Sequence, residues 1–186
     1  SSQNRQLAGA RTQTAGLAAG GYTTTVVATS EEYNGTSWTS GNAINTARNQ
    51  LSGTGPQTAA MIAGGKTGPG AAQTLTEKYD GTTWTETADL ATARGGLSVA
   101  GTDNTAGLAF GGDPGMSPTE EYNSSTTAYT AGAWSAGGNL NNGRYSLGGF
   151  GIQTAAVGFA GRTTPISNAT EEYDGSSWTT TNNHPA

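Results

Sequence analysis

The chain of 186 residues contains no cysteine and one histidine, His184, close to its C-terminal end. Without cysteine, the chain cannot form a disulfide bond or a thiolate metal site. Catalysis by a Ser-His-Asp arrangement, or by a histidine-bound copper, would depend on that one histidine, which we interpret as a solvated tail residue. The sequence therefore predicts no metal site and no cofactor.

Charged residues are also scarce, at 11% of the chain, with 8 basic and 13 acidic side chains and a net charge of −5. A nucleic acid is not an expected partner, because binding its phosphates requires a basic surface. No apolar run approaches the roughly 18 residues that cross a bilayer, so membrane insertion is not expected. The mean hydropathy of −0.49 resembles that of a disordered chain, but the regular recurrence of tryptophan and tyrosine argues against disorder.

Paired carboxylates occur at Glu31-Glu32, Glu120-Glu121 and Glu171-Glu172. Adjacent residues on a strand point to opposite faces of the sheet, so the two members of a pair cannot share acid and base roles. The sequence therefore favours a protein without enzymatic activity.

Four landmarks recur along the chain: an arginine, a glycine pair, a tyrosine and a tryptophan. The arginines are spaced 43, 46 and 50 residues apart, and the first three tryptophans each lie 10 residues before the next arginine. Self-similarity at such a period indicates one supersecondary unit per repeat. The landmarks are Arg5, Arg48, Arg94 and Arg144, then Tyr33, Tyr79, Tyr122 and Tyr173, then Trp38, Trp84, Trp134 and Trp178.

Each repeat contains four short stretches rich in Thr, Tyr and Trp and bounded by turn residues, which predicts four strands. In the second repeat they read QLSGTG, TAAMIAGG, LTEKYD and TTWTET. Four strands per repeat of this length are typical of a β-propeller blade. The predicted fold is all-β: a four-bladed β-propeller in one domain, 1–186, with blades at about 5–47, 48–93, 94–143 and 144–186.

The phrases EEYNGTSW, EKYDGTTW and EEYDGSSW place Asn-Gly or Asp-Gly between the tyrosine and the tryptophan. These dipeptides tolerate the positive φ of a hairpin turn. The aromatic rings can then fill the seams between blades, so we expect the four tryptophans to be buried and structurally equivalent. The glycine pair marks a close approach of backbones where a Cβ would not fit.

A glutamate lies two residues before each tyrosine, on the same face of the strand. With the recurring arginine, it predicts one Arg–Glu pair per blade or per junction between blades. The alternative is a ring of arginines that binds an anion at the mouth of the channel. These glutamates are Glu31, Glu77, Glu120 and Glu171.

Arginine, Gly-Gly, Tyr-Asp and tryptophan in this order resemble the kelch repeat, which implies a propeller. The third repeat departs from the pattern, because Tyr122 and Trp134 are 12 residues apart instead of 5. The phrases IQTAAVGFAG and NATEEYDGSSWT also resemble repeats in tail and fibre proteins of bacterial viruses. That resemblance implies a location on a virion or another extracellular surface.

The two ends of the chain fall within one connection between blades: joined, they would separate Trp178 from Arg5 by 13 residues. This spacing favours a closed ring of four blades, whose inner strands must be slim to converge on one axis. A piece of a larger ring, or half of an eight-bladed assembly of two chains, is the alternative.

The loops that differ most between repeats follow the second strand and connect the blades. We expect them to share one face and to form a non-catalytic recognition surface for a surface glycan or a host protein. An insertion at 123–133 adds Tyr129 to the opposite face. The alternative is a structural subunit that packs only against sister subunits in a particle. The candidate ligand-binding residues are Tyr22, Lys66, Asp113, Arg162, Asn45, Asp89, Asn141, Asn183 and Tyr129.

Overall fold

The computed structural model describes residues 7–10, 13–124 and 132–184, which contain sixteen β-strands and no helix. The first blade consists of β1 (Ala8–Ala10), β2 (Gly16–Ala19), β3 (Ser30–Tyr33) and β4 (Trp38–Ser40). The second consists of β5 (Ser52–Thr54), β6 (Met61–Ala63), β7 (Thr76–Tyr79) and β8 (Trp84–Glu86).

The strands of the third blade and the first two strands of the fourth are longer than the strands of blades 1 and 2. The third consists of β9 (Ser98–Asp103), β10 (Ala106–Phe110), β11 (Thr119–Asn123) and β12 (Ala133–Gly137). The fourth consists of β13 (Gly148–Ile152), β14 (Ala155–Phe159), β15 (Thr170–Tyr173) and β16 (Trp178–Thr180). In every sheet the four strands are antiparallel and follow chain order, so each repeat is a four-stranded meander. The predicted all-β, four-bladed propeller fold is confirmed.

The tyrosine and the tryptophan of each blade form a cross-strand pair between the third and fourth strands. In blade 2, Tyr79 lies opposite Trp84, with their ring centroids 4.7 Å apart. The insertion in blade 3 leaves this pairing intact, since Tyr122 lies opposite Trp134 with centroids 5.2 Å apart. The register of the outer hairpin therefore does not depend on the length of its loop.

The glycine pairs lie where one blade meets the next. A Cβ on Gly64 would lie 2.6 Å from the Arg94 carbonyl oxygen of the following blade, and the φ of Gly64 is +65°. Gly20 has the same relationship to Arg48, and Gly111 to Arg144. Only glycine satisfies both the left-handed φ and this close approach. In blade 4 the equivalent residue is Ala160, which has a φ of 55°.

The hydrophobic core is divided among the three junctions between successive blades. Trp84 packs with Leu17 of blade 1, and Trp178 packs with Leu108 and Phe110 of blade 3. Trp134 lies against the cluster between blades 2 and 3. Each of these three tryptophans therefore covers the blade that precedes it in the chain.

The described blades pack in series, and the ring expected from the sequence is not closed among them. The innermost strands contact one another in the order β1, β5, β9 and β13, and no comparable contact joins β13 to β1 within the described residues. A physical reason lies in Phe150, which sits in β13 where the other blades have small residues and is 58% exposed. Four inner strands converge on one axis only if their side chains are slim.

Trp38 departs from the prediction that all four tryptophans are buried. Its side chain is 51% exposed, whereas Trp84 and Trp178 are 7% and 5% exposed. The reason is its place in the series: Trp38 faces the side of blade 1 that none of the other described blades covers.

Candidate functional site

The antiparallel meander divides the loops between two opposite ends of the strands. One end, which we call the loop face, carries the segments between the second and third strands and the connections between blades. The Ile44 amide donates to the Ala28 carbonyl at 2.9 Å, which ties a blade connection to such a loop. The opposite end, the turn face, carries the turns that start at Asn34, Asp80 and Asp174.

The turn face is repetitive. Asp80 and Asp174 each accept two backbone N–H groups of their own turn at 2.7–2.8 Å, which lowers the pKa of both carboxyl groups. Asn34 makes the same two contacts at 3.0 and 2.9 Å. The glycines that follow have φ values of 91–95°. Three nearly identical turns provide little basis for specific recognition.

Beneath the loop face, blades 2, 3 and 4 each contain a buried Arg–Glu ion pair. Arg48 contacts Glu77 at 2.6 Å, and Arg144 contacts Glu171 at 2.7 Å. Arg94 pairs with Glu120 in the same way, and all three arginine side chains are 0% exposed. Burial lowers the pKa of Arg48, and the neighbouring Glu77 carboxylate opposes that shift. A buried arginine with a carboxylate partner is not available to an external anion, so these three residues do not form the alternative anion-binding ring.

The same ion pairs hold the blade connections in place. Arg48 also donates to the carbonyls of Gly64 and Leu75, both at 2.7 Å. The Glu77 carboxylate accepts the backbone N–H of Asn45 at 2.7 Å. Two of the candidate ligand-binding residues, Asn45 and Asn141, therefore belong to this framework: their backbone amides bind the buried glutamates.

Blade 1 differs from the other three, because Glu31 is exposed on the loop face. It lines a cavity of about 300 Å³ together with hydroxyl groups of the β2–β3 loop and of β4. Arg5, the residue predicted to pair with it, lies outside the described residues. The cavity is lined by Thr23, Val27, Thr29, Ser30, Glu31, Ser40, Gly41 and Ala43.

The four residues predicted to follow the glycine pairs all lie on the loop face. Lys66 and Asp113 form an ion pair that joins blades 2 and 3. Arg162 places its guanidinium 5.8 Å from the centre of the Tyr145 ring. Tyr22 forms a β-bridge with Val26. The structure thus brings Lys66 and Asp113 into contact and gives Tyr22 and Arg162 local partners in blades 1 and 4.

The remaining candidates have different environments. Asp89 accepts the Thr74 hydroxyl and the Thr76 amide, both at 3.2 Å, so it caps a strand. Asn183 is exposed in the segment after β16. Tyr129 lies outside the described residues, so its proposed contact on the turn face is not described.

Sequence reasoning missed the role of the second glutamate in two of the three carboxylate pairs. Glu121 accepts the Tyr173 hydroxyl of the next blade at 2.5 Å, and Glu32 accepts that of Tyr79. Burial, with the hydrogen bond that the Tyr173 hydroxyl donates to Glu121, raises the pKa of Tyr173 to about 12. Lys78 takes this position in blade 2 and lies 5.1 Å from the Tyr122 ring centre. The spacing of each glutamate from the next tyrosine, near 50 residues, was the available signal.

Sequence reasoning also missed a chain of backbone contacts between the segments that lead into the innermost strands of blades 2, 3 and 4. The Gly96 amide donates to the Gln50 carbonyl at 2.8 Å, and the Ser146 amide donates to the Gly96 carbonyl at 2.7 Å. All three residues have a positive φ, of 54°, 65° and 52° in chain order. Their shared position, two residues after an arginine, was the signal that could have found them.

Within the described residues, no three His, Asp or Glu side chains are grouped so that they could hold a metal ion. The same part of the chain contains no helix that is long and apolar enough to cross a membrane.

Comparison with known proteins supports the fold without identifying a family. No protein-family model matches the sequence, and no curated protein sequence matches it. The chain is similar to a solved structure described as the structure of YjhT, with a TM-score of 0.74 and 14% sequence identity. The alignment covers 97% of this chain and 66% of the YjhT chain, so this chain spans about two thirds of that structure's length. At this identity the likeness shows the fold alone.

Proposed function

We propose that this protein is a non-catalytic recognition module: a kelch-type propeller that binds a surface glycan through its loop face. One observation carries the proposal. In each blade, two consecutive residues with a positive φ are followed by a different side chain: Tyr22, Lys66, Asp113 or Arg162. The buried Arg–Glu ion pair beneath these positions is nevertheless the same in blades 2, 3 and 4. A repeated framework with a different side chain at each equivalent place is typical of a binding surface.

The cavity in blade 1 combines polar and apolar groups, as a ligand with both hydroxyl groups and an apolar face requires. Four of its lining residues carry hydroxyl groups and one, Glu31, carries a carboxylate. Hydroxyl and carboxylate oxygens, placed at the edge of a concave surface, are suited to hydrogen bonding with the hydroxyl groups of a sugar. Tyr22 directly precedes Thr23, which lines the cavity, and supplies an aromatic ring for stacking on a sugar face.

The resemblance to repeats in tail and fibre proteins of bacterial viruses supports a location on a virion or a similar extracellular particle. In that setting, the ligand would be a polysaccharide on the surface of a host cell. The phrases that carry this resemblance, IQTAAVGFAG and NATEEYDGSSWT, form most of blade 4.

A second candidate function is that of a structural subunit in such a particle. It is favoured by the large apolar side chains that the two ends of the blade series expose, Trp38 in blade 1 and Phe150 and Ile152 in blade 4. Trp38, Phe150 and Ile152 do not line the cavity that contains Glu31, so substitutions at these apolar residues test assembly without removing a cavity side chain.

A glycan array tests the proposed function. We expect the purified chain to bind a restricted set of glycans, and Tyr22→Ala and Glu31→Ala to weaken binding by about tenfold or more, as loss of a central contact does. Thr82→Ala, on the turn face, is the matched control and should bind like the parent. Equal binding by all variants, or no retained glycan, would contradict the proposal.

A further inference from the structure

The three junctions between blades share a pattern of polar contacts, with one departure at the first. At the second and third junctions, the tryptophan of a blade donates to a hydroxyl of the preceding blade: Trp134 Nε1 to Thr76 Oγ1 at 3.2 Å, and Trp178 Nε1 to Thr119 Oγ1 at 3.0 Å. At the first junction the equivalent hydroxyl, that of Ser30, donates to the Asn42 carbonyl at 2.9 Å, and Trp84 Nε1 has no hydrogen-bond partner among the described residues.

A side-chain amide provides the second repeated contact. Gln153 Nε2 donates to the Tyr122 carbonyl at 3.0 Å, and Asn104 Nδ2 donates to the Tyr79 carbonyl at the same distance. Gln57 Nε2 lies 3.5 Å from the Tyr33 carbonyl at the first junction. A side-chain amide in the loop before each of these second strands therefore contacts the end of the third strand in the preceding blade.

The third contact joins a tyrosine hydroxyl to a carboxylate. Tyr79 contacts Glu32, and Tyr173 contacts Glu121 at 2.5 Å. At the junction between blades 2 and 3, the Tyr122 hydroxyl instead meets the Thr87 hydroxyl at 2.7 Å.

The two blades at the ends of the series carry the two sides of these contacts. Blade 1 has the groups that would reach a preceding blade, and blade 4 has the groups that would receive them. Blade 1 has Gln13, Tyr33 and Trp38 at the positions of the groups that reach a preceding blade, and both Gln13 and Trp38 are exposed. Blade 4 has Thr170 and Glu172 at the positions that receive such groups, and Glu172 is exposed. If blade 1 packed on blade 4 as the internal blades pack on one another, Trp38 would meet Thr170, Tyr33 would meet Glu172, and Gln13 would meet the carbonyl of Tyr173.

The apolar parts match as well. Phe110 of blade 3 lies 4.8 Å, between ring centroids, from Trp178 of blade 4. Phe159 holds the position of Phe110 in blade 4, where it contacts Phe150 and stacks on His184 at centroid distances of 6.0 and 6.2 Å. In the repeat register, Trp38 of a further blade would meet Phe159 beside these two rings.

We propose that this chain associates with a second copy of itself, head to tail, with blade 4 of one molecule packed on blade 1 of the other. The occupant is a second copy because blade 1 of this chain carries the tryptophan, tyrosine and glutamine that the exposed face of blade 4 matches. Such a contact uses different surfaces on the two molecules, so it closes into a ring or extends into a filament.

Ala160 shows where the new junction differs from the internal ones. At the three internal junctions a Cβ at this position would lie 2.6 Å from a carbonyl oxygen of the next blade. The inner end of the junction between copies is therefore slightly wider, and Ala160→Gly should tighten the association. The three polar contacts lie farther from the axis and do not depend on this residue.

Cross-linking tests the proposal directly, because the chain has no cysteine of its own. At the first junction, Asn42 Nδ2 donates to the Thr82 carbonyl at 2.7 Å. The equivalent positions across the proposed junction are Asn182 and Thr36, both exposed. One preparation carries Thr36→Cys, the other Asn182→Cys with a size tag, and a short bismaleimide is added to the mixture. Neither chain can then cross-link to itself internally.

We expect the mixed product, Thr36→Cys joined to Asn182→Cys, to exceed both products formed between identical variants. Thr67→Cys, in an exposed loop of blade 2, replaces either partner as the control and should give little product. Equal yields from all pairings would overturn the proposal. So would a chain with both cysteines that cross-links only within itself at high dilution, since the ring would then close on its own blade 1.

The mass in solution gives an independent measurement. Sedimentation of the unmodified chain should show a mass that rises with concentration, and Trp38→Ala should weaken the association by about tenfold or more, as loss of a buried aromatic anchor does. Thr67→Ala should associate like the parent. A single monomeric species at every concentration would overturn the proposal, whatever the glycan array shows.

Discussion

The indole nitrogen of Trp178 donates to the hydroxyl of Thr119 in the preceding blade at 3.0 Å, and both residues are buried. The hydrogen bond satisfies the one polar group of the tryptophan while its rings fill the seam between blades. Trp134 makes the same contact with Thr76, so in blades 3 and 4 the tryptophan joins the outer strand of its blade to the third strand of the preceding one.

Trp178→Ala should therefore destabilise the protein by about 3–5 kcal/mol, the cost of removing a core aromatic side chain. Trp38→Ala is the matched comparison, because the same residue of the repeat is half exposed in blade 1. We expect it to change the free energy of unfolding by less than about 1 kcal/mol at concentrations too low for association. Urea unfolding followed by circular dichroism measures both. Equal losses for the two variants would show that Trp38 is packed like the others.

The buried ion pairs give a second prediction. Glu171→Gln leaves Arg144 buried without a carboxylate, so we expect a loss of about 3 kcal/mol in the free energy of unfolding. Glu31→Gln changes the equivalent residue of blade 1, which is exposed, and should cost no more than about 0.5 kcal/mol. The measurement is the same urea unfolding series. A Glu31→Gln variant as unstable as Glu171→Gln would mean that blade 1 contains the same buried pair.

Ultraviolet titration tests the environment of Tyr173, whose pKa is raised to about 12. An exposed tyrosine ionises near pH 10. The raised pKa favours the protonated phenol in the folded state, so its contribution to stability is present below pH 10 and is lost as the pH rises from about 10 to 12. Tyr173→Phe should remove one late-titrating group from the absorbance at 295 nm. Glu121→Gln should lower the pKa of Tyr173; an unchanged titration in both variants would contradict this assignment.

The glycines at the junctions give a fourth prediction. Gly64→Ala introduces a Cβ 2.6 Å from the Arg94 carbonyl at a φ of +65°, whereas Gly70 has a similar φ of +73° and no atom within 4 Å of the added Cβ. Gly70→Ala should cost about 1–2 kcal/mol for the left-handed backbone alone. Gly64→Ala should cost about 1–3 kcal/mol more, because the blades must also move apart. Thermal unfolding compares the two variants. Equal losses of stability would show that the added Cβ at Gly64 makes no damaging contact with the Arg94 carbonyl.

Much of the fold follows from local sequence signals. The spacing of tyrosine and tryptophan around Asn-Gly or Asp-Gly fixes a hairpin, and Tyr79 and Trp84 form the cross-strand pair that this spacing predicts. The recurring arginine and glutamate predicted the pairing of Arg48 with Glu77. These features can be read from the sequence because both partners recur at constant spacing.

Closure of the ring could not be predicted in the same way. It depends on the volume of side chains that would have to meet although they lie far apart in the sequence, such as Phe150 of blade 4 and the inner strand of blade 1, and on the angle between successive blades. A repeat pattern reports how one blade packs on the next, but not how many blades complete a turn. The candidate site has the same difficulty: Asn45 resembles a ligand-binding loop residue, yet its amide binds the buried Glu77 carboxylate.

The most direct test of the recognition function is the nuclear magnetic resonance spectrum of the isotopically labelled chain, titrated with a glycan that the array retains. The account predicts shifts in the amide signals of the loop face, led by Tyr22, Glu31 and Arg162, and unchanged signals from the turn glycines Gly35, Gly81 and Gly175. Shifts confined to the turn face, or no shifts at a saturating glycan concentration, would contradict it.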